Sequence, residues 1–213
     1  MENKAIRISL EKNPSISINA TPGHFTTSHS HFNYYLDVNK LKTSVSMARD
    51  AAKELAIPYL TSTIVDTIVC MDKTEVIGAF LAEELTSSGS SVMNSSSDIH
   101  VFTPLYNTMD KLIFQDNVID FITDCNVILL VSSISSGSTV KEALECLTYY
   151  GSNVVGISSL FTAFSNDIEP EPYTLFTSED IPDYRVYSTG DCELCKKGRK
   201  LDALISYNGY TRL

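Results

Sequence analysis

A serine-rich segment with a single glycine stands between a run of apolar residues and a predicted helix. It reads Ser135-Ser136-Gly137-Ser138-Thr139 and follows the apolar residues 126–131. A loop in this position directs its backbone N–H groups and the positive end of the helix dipole toward one point, where an anion can bind. Gly137 allows close approach of the backbone, and the hydroxyls add donors. The pattern predicts a phosphate-monoester site, with simple capping of the helix as the alternative.

A second group of residues that could bind metal or undergo redox chemistry lies near the end of the chain, where two residues separate Cys192 from Cys195. Two thiolates are half of a structural zinc site, which needs four ligands. The other cysteines lie in apolar segments and are expected in the core. Three interpretations of the pair stay open: a metal half-site, a disulfide or redox pair, and a structural thiol pair. We expect a tight turn without a complete zinc site in one chain, and we predict no metal-binding residue.

Three histidines, His24, His29 and His31, lie close together in the N-terminal part of the chain. A histidine-rich tract can bind metal. The polar residues around this one favour instead a loop over the binding site.

The charge balance limits the classes of partner. The 213 residues have a formal net charge of −10, with 43% hydrophobic and 20% charged residues. Binding of nucleic acid through its phosphates needs a basic face, so this partner is not expected. The sequence has no apolar run of the roughly 18 residues that cross a bilayer and no signal-peptide pattern at its start. An odd number of cysteines, five in all, favours the cytoplasm, where thiols stay reduced.

Hydrophobic periodicity indicates the elements that hold these residues. Alternation predicts strands in the first 42 residues, with a turn at Pro22-Gly23. Helices are predicted over residues 43–56, 75–86 and 140–150, strands over 66–71, 99–103, 126–131 and 154–161, a loop over 87–97, and a short helix near 200–206. The run at 126–131 does not alternate, as in a parallel strand buried on both faces. Strand, helix and strand in this order imply a right-handed crossover and a doubly wound, mostly parallel α/β sheet.

Residues 128–139 resemble the fingerprint of the type I phosphoribosyltransferases, of the orotate phosphoribosyltransferase kind. That fingerprint has four hydrophobic residues, two acidic residues and a loop rich in threonine and glycine; here Ile128–Val131, Ser132-Ser133 and residues 134–139 stand in those places. Residues 33–37 are similar to the family's Tyr-x-Asp stretch, and residues 66–85 to its strand, pyrophosphate loop and helix. Residues 104–111 fall where the family has its flexible catalytic loop.

The resemblance implies one domain over residues 1–213, with a core at about 43–165 and a small hood from about 1–42 and 170–213. It implies that the 135–139 loop holds the 5-phosphate of phosphoribosyl pyrophosphate and that Ser132 and Ser133 face the ribose. Pyrophosphate would meet the loop formed by Asp72, Lys73 and Thr74, together with Lys111 of the catalytic loop. For Lys73 the alternative is a solvated surface lysine. The resemblance further implies Mg²⁺, a role in pyrimidine nucleotide metabolism and a homodimer.

The two serines depart from the family pattern. The acidic residues that they replace hold the ribose hydroxyls and stabilise a cationic transition state, and a hydroxyl has no negative charge to offer. We therefore expect orotate phosphoribosyltransferase activity to be very weak or absent. Two functions stay open: transfer of phosphoribosyl to a nucleobase, and a catalytically inactive module that binds a phosphoribosyl-containing small molecule.

Overall fold

The computed structural model describes residues 4–28, 30–87, 93–95, 97–109, 111–163, 167–206 and 209–213. Its strands, in chain order, are β1 (Ile6–Ser9), β2 (Ser17–Thr26), β3 (Ser30–Asp37), β4 (Thr67–Cys70), β5 (His100–Phe102), β6 (Leu105–Tyr106), β7 (Leu112–Ile113), β8 (Asn126–Ile134), β9 (Asn153–Thr162), β10 (Tyr173–Thr177), β11 (Val186–Ser188), β12 (Ala203–Ser206) and β13 (Gly209–Arg212). Its α-helices are α1 (Asn39–Thr43), α2 (Val45–Ala56), α3 (Glu75–Thr86), α4 (Ser138–Tyr149) and α5 (Glu193–Lys196).

A parallel sheet forms the centre of the molecule, with strand order β10-β9-β8-β4-β5. The chain leaves β4 toward β5 on one side and returns to β8 on the other. The order therefore reverses between β4 and β8, and in such sheets ligands bind at this point, outside the carboxyl ends of the strands. The predicted α/β fold with a doubly wound parallel sheet is confirmed.

Strand β8 is buried on both faces, as its unbroken apolar run predicts. Ile128 and Leu130 pack in the core shared with α2 and α3. Leu129 and Val131 point to the opposite face and pack in the core shared with α4. Burial of both faces fixes the register of the strand and so the position of the loop that follows it, because a slip of one residue would exchange the two sets of side chains.

A second sheet joins the two ends of the chain and is here called the terminal sheet. Its order is β11-β3-β2-β12-β13, with β1 paired to β2. Phe25, Phe32, Tyr35 and Ala203 form a small core on it. This sheet is the hood predicted from the two termini.

Several local predictions are wrong. Pro22 and Gly23 do not turn the chain but lie within β2, where the pairing with β3 shifts register. The segment predicted as a helix near residues 200–206 contains β12, which pairs with β2 and β13. The predicted loop over 104–111 contains strand β6, which pairs with β7 just beyond it. Part of the loop predicted over 87–97 lies outside the described residues. Among the described helices, none is long and apolar enough to cross a membrane.

Candidate functional site

A cavity of about 470 Å³ lies between the carboxyl ends of β4 and β8 and the terminal sheet. Its floor is the loop between β8 and α4, and its roof comes from β3, β12 and the start of β13. The cavity therefore occupies the position that the strand order predicts for a ligand. The lining residues discussed below are Tyr34, Tyr35, Lys42, Asp72, Ser132, Ser133, Phe161, Tyr184, Ile205, Ser206 and all five residues of the 135–139 loop.

The 135–139 loop has the geometry of an anion site. Gly137 stands at the N-cap of α4 with φ of 78°, a left-handed conformation that glycine adopts without strain. The Ser136 and Ser138 hydroxyls are 2.9 Å apart. The first turn of α4 contains no acidic residue that would repel an anion, and the first N–H groups of a helix lack partners within it. The loop therefore presents N–H and hydroxyl donors to the cavity together.

The two serines at the end of β8 both line the cavity. Ser132 is buried and Ser133 is exposed. The backbone N–H of Ser132 hydrogen-bonds to the Asp72 carboxylate. The end of β8 thus brings two serines to the cavity.

The loop after β4 brings one of its three predicted residues to the cavity. Asp72 lines it, and burial raises the pKa of its carboxyl despite the nearby Lys42 ammonium. Lys73 is exposed and outside the lining. Thr74 is buried, and its hydroxyl donates to the carbonyl oxygens of Met71 at 2.8 Å and Leu130 at 3.2 Å. Thr74 therefore joins the loop to β8.

Lys111 lies away from the cavity lining. It follows the turn between β6 and β7, and its amine is 4.0 Å from the Glu142 carboxylate on α4. Both side chains are largely exposed, so this ion pair contributes little to stability. The structure does not bring Lys111 to Ser132 and Ser133.

Lys42 is a cavity residue that the sequence reasoning missed. Its amine donates to the Asp72 carbonyl oxygen at 2.9 Å, and the residue is 5% exposed. Burial lowers the pKa of the amine, although Asp72 acts in the opposite direction. Helix α1, which holds Lys42, has five residues, too short for a periodic signal. The sole sequence signal was the position of the lysine just after the Tyr-x-Asp stretch.

Aromatic rings form one wall of the cavity. Tyr34 and Tyr184 stack with centroids 6.4 Å apart, and Phe161 meets Tyr184 edge to face at 5.3 Å. Burial raises the pKa of the Tyr184 hydroxyl, so this ring stays neutral near pH 7. Neutral rings of this kind offer a flat apolar surface to a planar ligand.

The residues of the cavity do not form a dedicated Mg²⁺ site. Mg²⁺ takes oxygen ligands in near-octahedral geometry and is usually bound by one or two carboxylates together with substrate phosphates. Within the described lining, Asp72 is the one carboxyl.

The histidine and cysteine predictions need correction. His24 and His31 do not form a loop over the cavity; they are buried beside Cys192 and Cys195. One ligand atom from each of the four lies within 4.8 Å of the others. The sequence predicted no complete zinc site in one chain, but the structure brings two histidines of the same chain beside the cysteine pair. His29 lies outside the described residues.

Comparisons with known proteins point in one direction. No protein-family model matches the chain. Curated orotate phosphoribosyltransferases from Thermotoga petrophila and Thermotoga maritima are 35% identical to it over 66 residues, 30% of this chain and 34% of each relative. The chain thus spans about a third of the length of the curated relatives it matches.

Solved structures extend the likeness over most of the chain. The orotate phosphoribosyltransferase of Mycobacterium tuberculosis aligns with a TM-score of 0.51 at 12% identity, over 76% of this chain and 91% of that one. The adenine phosphoribosyltransferase of Thermoanaerobacter pseudethanolicus aligns with a TM-score of 0.51 at 14% identity, over 81% and 95%. The chain therefore has the type I phosphoribosyltransferase fold, and the sequence and structural matches together support a relationship to that family.

Proposed function

We propose that the cavity binds a small molecule containing a 5-phosphoribosyl group, with its phosphate on the 135–139 loop. The observation that carries the proposal is Gly137, left-handed at the N-cap of α4 within the cavity wall. A phosphate there would accept hydrogen bonds from the backbone N–H groups and from the serine and threonine hydroxyls. The cavity volume of about 470 Å³ is also in the range usual for small-molecule sites.

The rest of the cavity suits the rest of such a ligand. Ser132 and Ser133 supply hydroxyls for the ribose, because they lie at the end of β8, directly before the phosphate loop. A nucleobase fits against Tyr34 and Tyr184, whose rings stack in the wall. Lys42 is the one lysine or arginine in the described lining, so it is the side chain that balances the ligand's negative charge.

Binding without efficient turnover is the function that the residues favour. Phosphoribosyl transfer passes through a cationic ribose, and preorganised negative charge is usually the largest catalytic contribution. Ser132 and Ser133 are neutral. The loss of one well-placed electrostatic partner typically slows an enzyme by about 10²–10³. Slow transfer is the second candidate, because the Asp72 carboxyl hydrogen-bonds the Ser132 backbone and still brings an acidic group to the cavity.

A role in pyrimidine nucleotide metabolism and a homodimer stay predictions of the family resemblance. Mg²⁺, if used, would enter with the phosphates of the ligand, because the lining offers a single carboxyl to hold it.

Calorimetric titration of matched ligands tests the proposal. Ribose 5-phosphate, phosphoribosyl pyrophosphate and orotidine 5′-monophosphate are compared with ribose and orotidine, each with and without Mg²⁺. Removal of the phosphate should weaken binding about tenfold or more, since hydrogen bonds to charged groups contribute about 1.5–3 kcal/mol. Equal affinity for the phosphorylated and unphosphorylated members of each pair would refute the phosphate site.

A further inference from the structure

We propose that His24, His31, Cys192 and Cys195 bind one structural zinc ion that links the two ends of the chain. The four residues come from three separate elements. His24 lies on β2, and His31 on β3. Thr26 pairs with His31 across the two strands, and the ring centroids of His24 and His31 are 5.1 Å apart, so the two histidines are neighbours on one side of the sheet. Cys192 is the N-cap of α5, and Cys195 lies within that helix.

Four of the six distances among the ligand atoms are close to those around a tetrahedral ion, and all six are within 4.8 Å. His24 Nε2 is 3.5 Å from Cys192 Sγ and 3.7 Å from Cys195 Sγ. His31 Nδ1 is 3.4 Å from Cys195 Sγ and 3.0 Å from His24 Nε2. Tetrahedral zinc with bonds of about 2.3 Å to sulfur and about 2.0–2.1 Å to nitrogen separates sulfur from nitrogen by about 3.6 Å and two nitrogens by about 3.3 Å. Each distance lies within a few tenths of an ångström of that geometry.

A hydrogen bond outside the cluster sets the chemistry of His24. Its Nδ1 is 2.8 Å from the carbonyl oxygen of Arg199. A carbonyl only accepts, so Nδ1 bears the proton and Nε2 directs a lone pair toward the two cysteines. Metal-binding histidines are commonly oriented in this way, with the second ring nitrogen donating to a carbonyl or carboxylate.

The ligand set favours zinc with a structural role. Two thiolates and two imidazoles in tetrahedral array are a common structural zinc site, whereas catalytic sites leave one position open. His24, His31 and Cys192 are buried, at 0%, 7% and 2% exposure. None of the four ligands lines the cavity. Sulfur is a weak hydrogen-bonding group, so the two thiols gain little from facing the same point unless a cation lies there.

The position of the site shows what the ion would stabilise. Strand β12 pairs with β2 through two residue pairs, Ala203 with Phe25 and Leu204 with Thr26. The His24 N–H donates to the Asp202 carboxylate at 2.7 Å, and the Asp202 N–H donates back to the His24 carbonyl at 2.8 Å. The residues that follow, Ile205 and Ser206, line the cavity. The zinc site therefore fixes the C-terminal segment against β2 and, through it, the roof of the cavity.

Elemental analysis of the full chain, purified without chelator, tests the proposal. The unmodified protein should contain about one zinc ion per chain. Cys192→Ser and Cys195→Ser should each lose at least about nine-tenths of it, because a hydroxyl is a much poorer zinc ligand than a thiolate. Cys125→Ser and Cys146→Ser are the matched controls, since both thiols are free and lie outside the cluster; they should keep their zinc.

Replacement of the metal by Co²⁺ in the unmodified chain keeps the test decisive if the serine variants fail to fold. Two thiolates should produce sulfur-to-cobalt charge-transfer absorption together with the visible bands of a tetrahedral ion. A chain that contains no zinc and takes up neither Zn²⁺ nor Co²⁺ on refolding would overturn the proposal. Full zinc retention in Cys192→Ser and Cys195→Ser would do the same, as would a Cys192–Cys195 disulfide in protein purified under reducing conditions.

Discussion

Substitution of Gly137 by alanine should separate ligand binding from general stability. The residue has φ of 78°, and an added Cβ would lie 3.0 Å from Ile168 Cδ1. A left-handed conformation costs a residue with a side chain about 1–2 kcal/mol. If the loop relaxes out of that conformation, the affinity for ribose 5-phosphate should fall about 5- to 30-fold. If it keeps the conformation, the same strain appears as a melting temperature lower by about 2–8 °C.

Gly151→Ala is the matched control. Gly151 follows the other end of α4 with φ of 77°, so the backbone strain is alike, and an added Cβ would meet Thr123 Cγ2 at an unhindered 3.7 Å. It does not line the cavity. Calorimetry should show an affinity loss in Gly137→Ala that is absent in Gly151→Ala, while thermal unfolding shows destabilisation in Gly151→Ala. Equal affinity in both variants, together with an unchanged melting temperature in Gly137→Ala, would refute the argument that places the phosphate on this loop.

Three further variants test the cavity and its support. Lys42→Met should weaken binding of ribose 5-phosphate about tenfold at neutral pH, whereas Lys40→Met, which changes an exposed side chain, should not. Because phosphate favours the protonated amine and burial lowers the pKa of Lys42, affinity should fall as pH rises through that lowered pKa, and the methionine variant should lack this fall. If the site is a disabled transferase, the double variant Ser132→Asp, Ser133→Asp should gain phosphoribosyl transfer in an assay of orotate turnover. Turnover of orotate by the unmodified protein at about 10 per second, the median rate for enzymes, would show that the serines do not limit catalysis. Tyr59→Phe should lower the free energy of unfolding by about 0.5–1.5 kcal/mol, because the Tyr59 hydroxyl hydrogen-bonds Ser158 Oγ at 2.9 Å. The control is Tyr149→Phe, which changes a side chain that is 83% exposed. An equal loss of unfolding free energy in the two variants would contradict the argument.

The central sheet and the position of the 135–139 loop before α4 could be predicted because their signals are local. An unbroken apolar run at residues 126–131 means burial on both faces wherever the strand lies. Gly137 stands among serines between that strand and a helix, so the residues that determine its conformation are its neighbours along the chain. The resemblance to the phosphoribosyltransferase fingerprint lies in the same short stretch.

The terminal sheet was predicted in outline but not in detail. Pro22 and Gly23 read locally as a turn, yet pairing with β3 keeps them in a strand through a change of register. The segment around Ala203 was read as helical, and it becomes a strand because it pairs with β2, far away in sequence. Partners of this kind override local propensity.

By itself, then, the sequence determined the α/β class, the parallel sheet, the serine-rich loop between a strand and a helix, and the serines in place of acids, since each depends on residues close together along the chain. The tertiary structure alone decided that Lys42 enters the cavity while Lys73 and Lys111 do not. It alone brought His24 within 3.5 Å of Cys192, across 168 positions of sequence. Spacing along the chain reports nothing about such a pair, because the distance between them depends on how the two termini pair in one sheet.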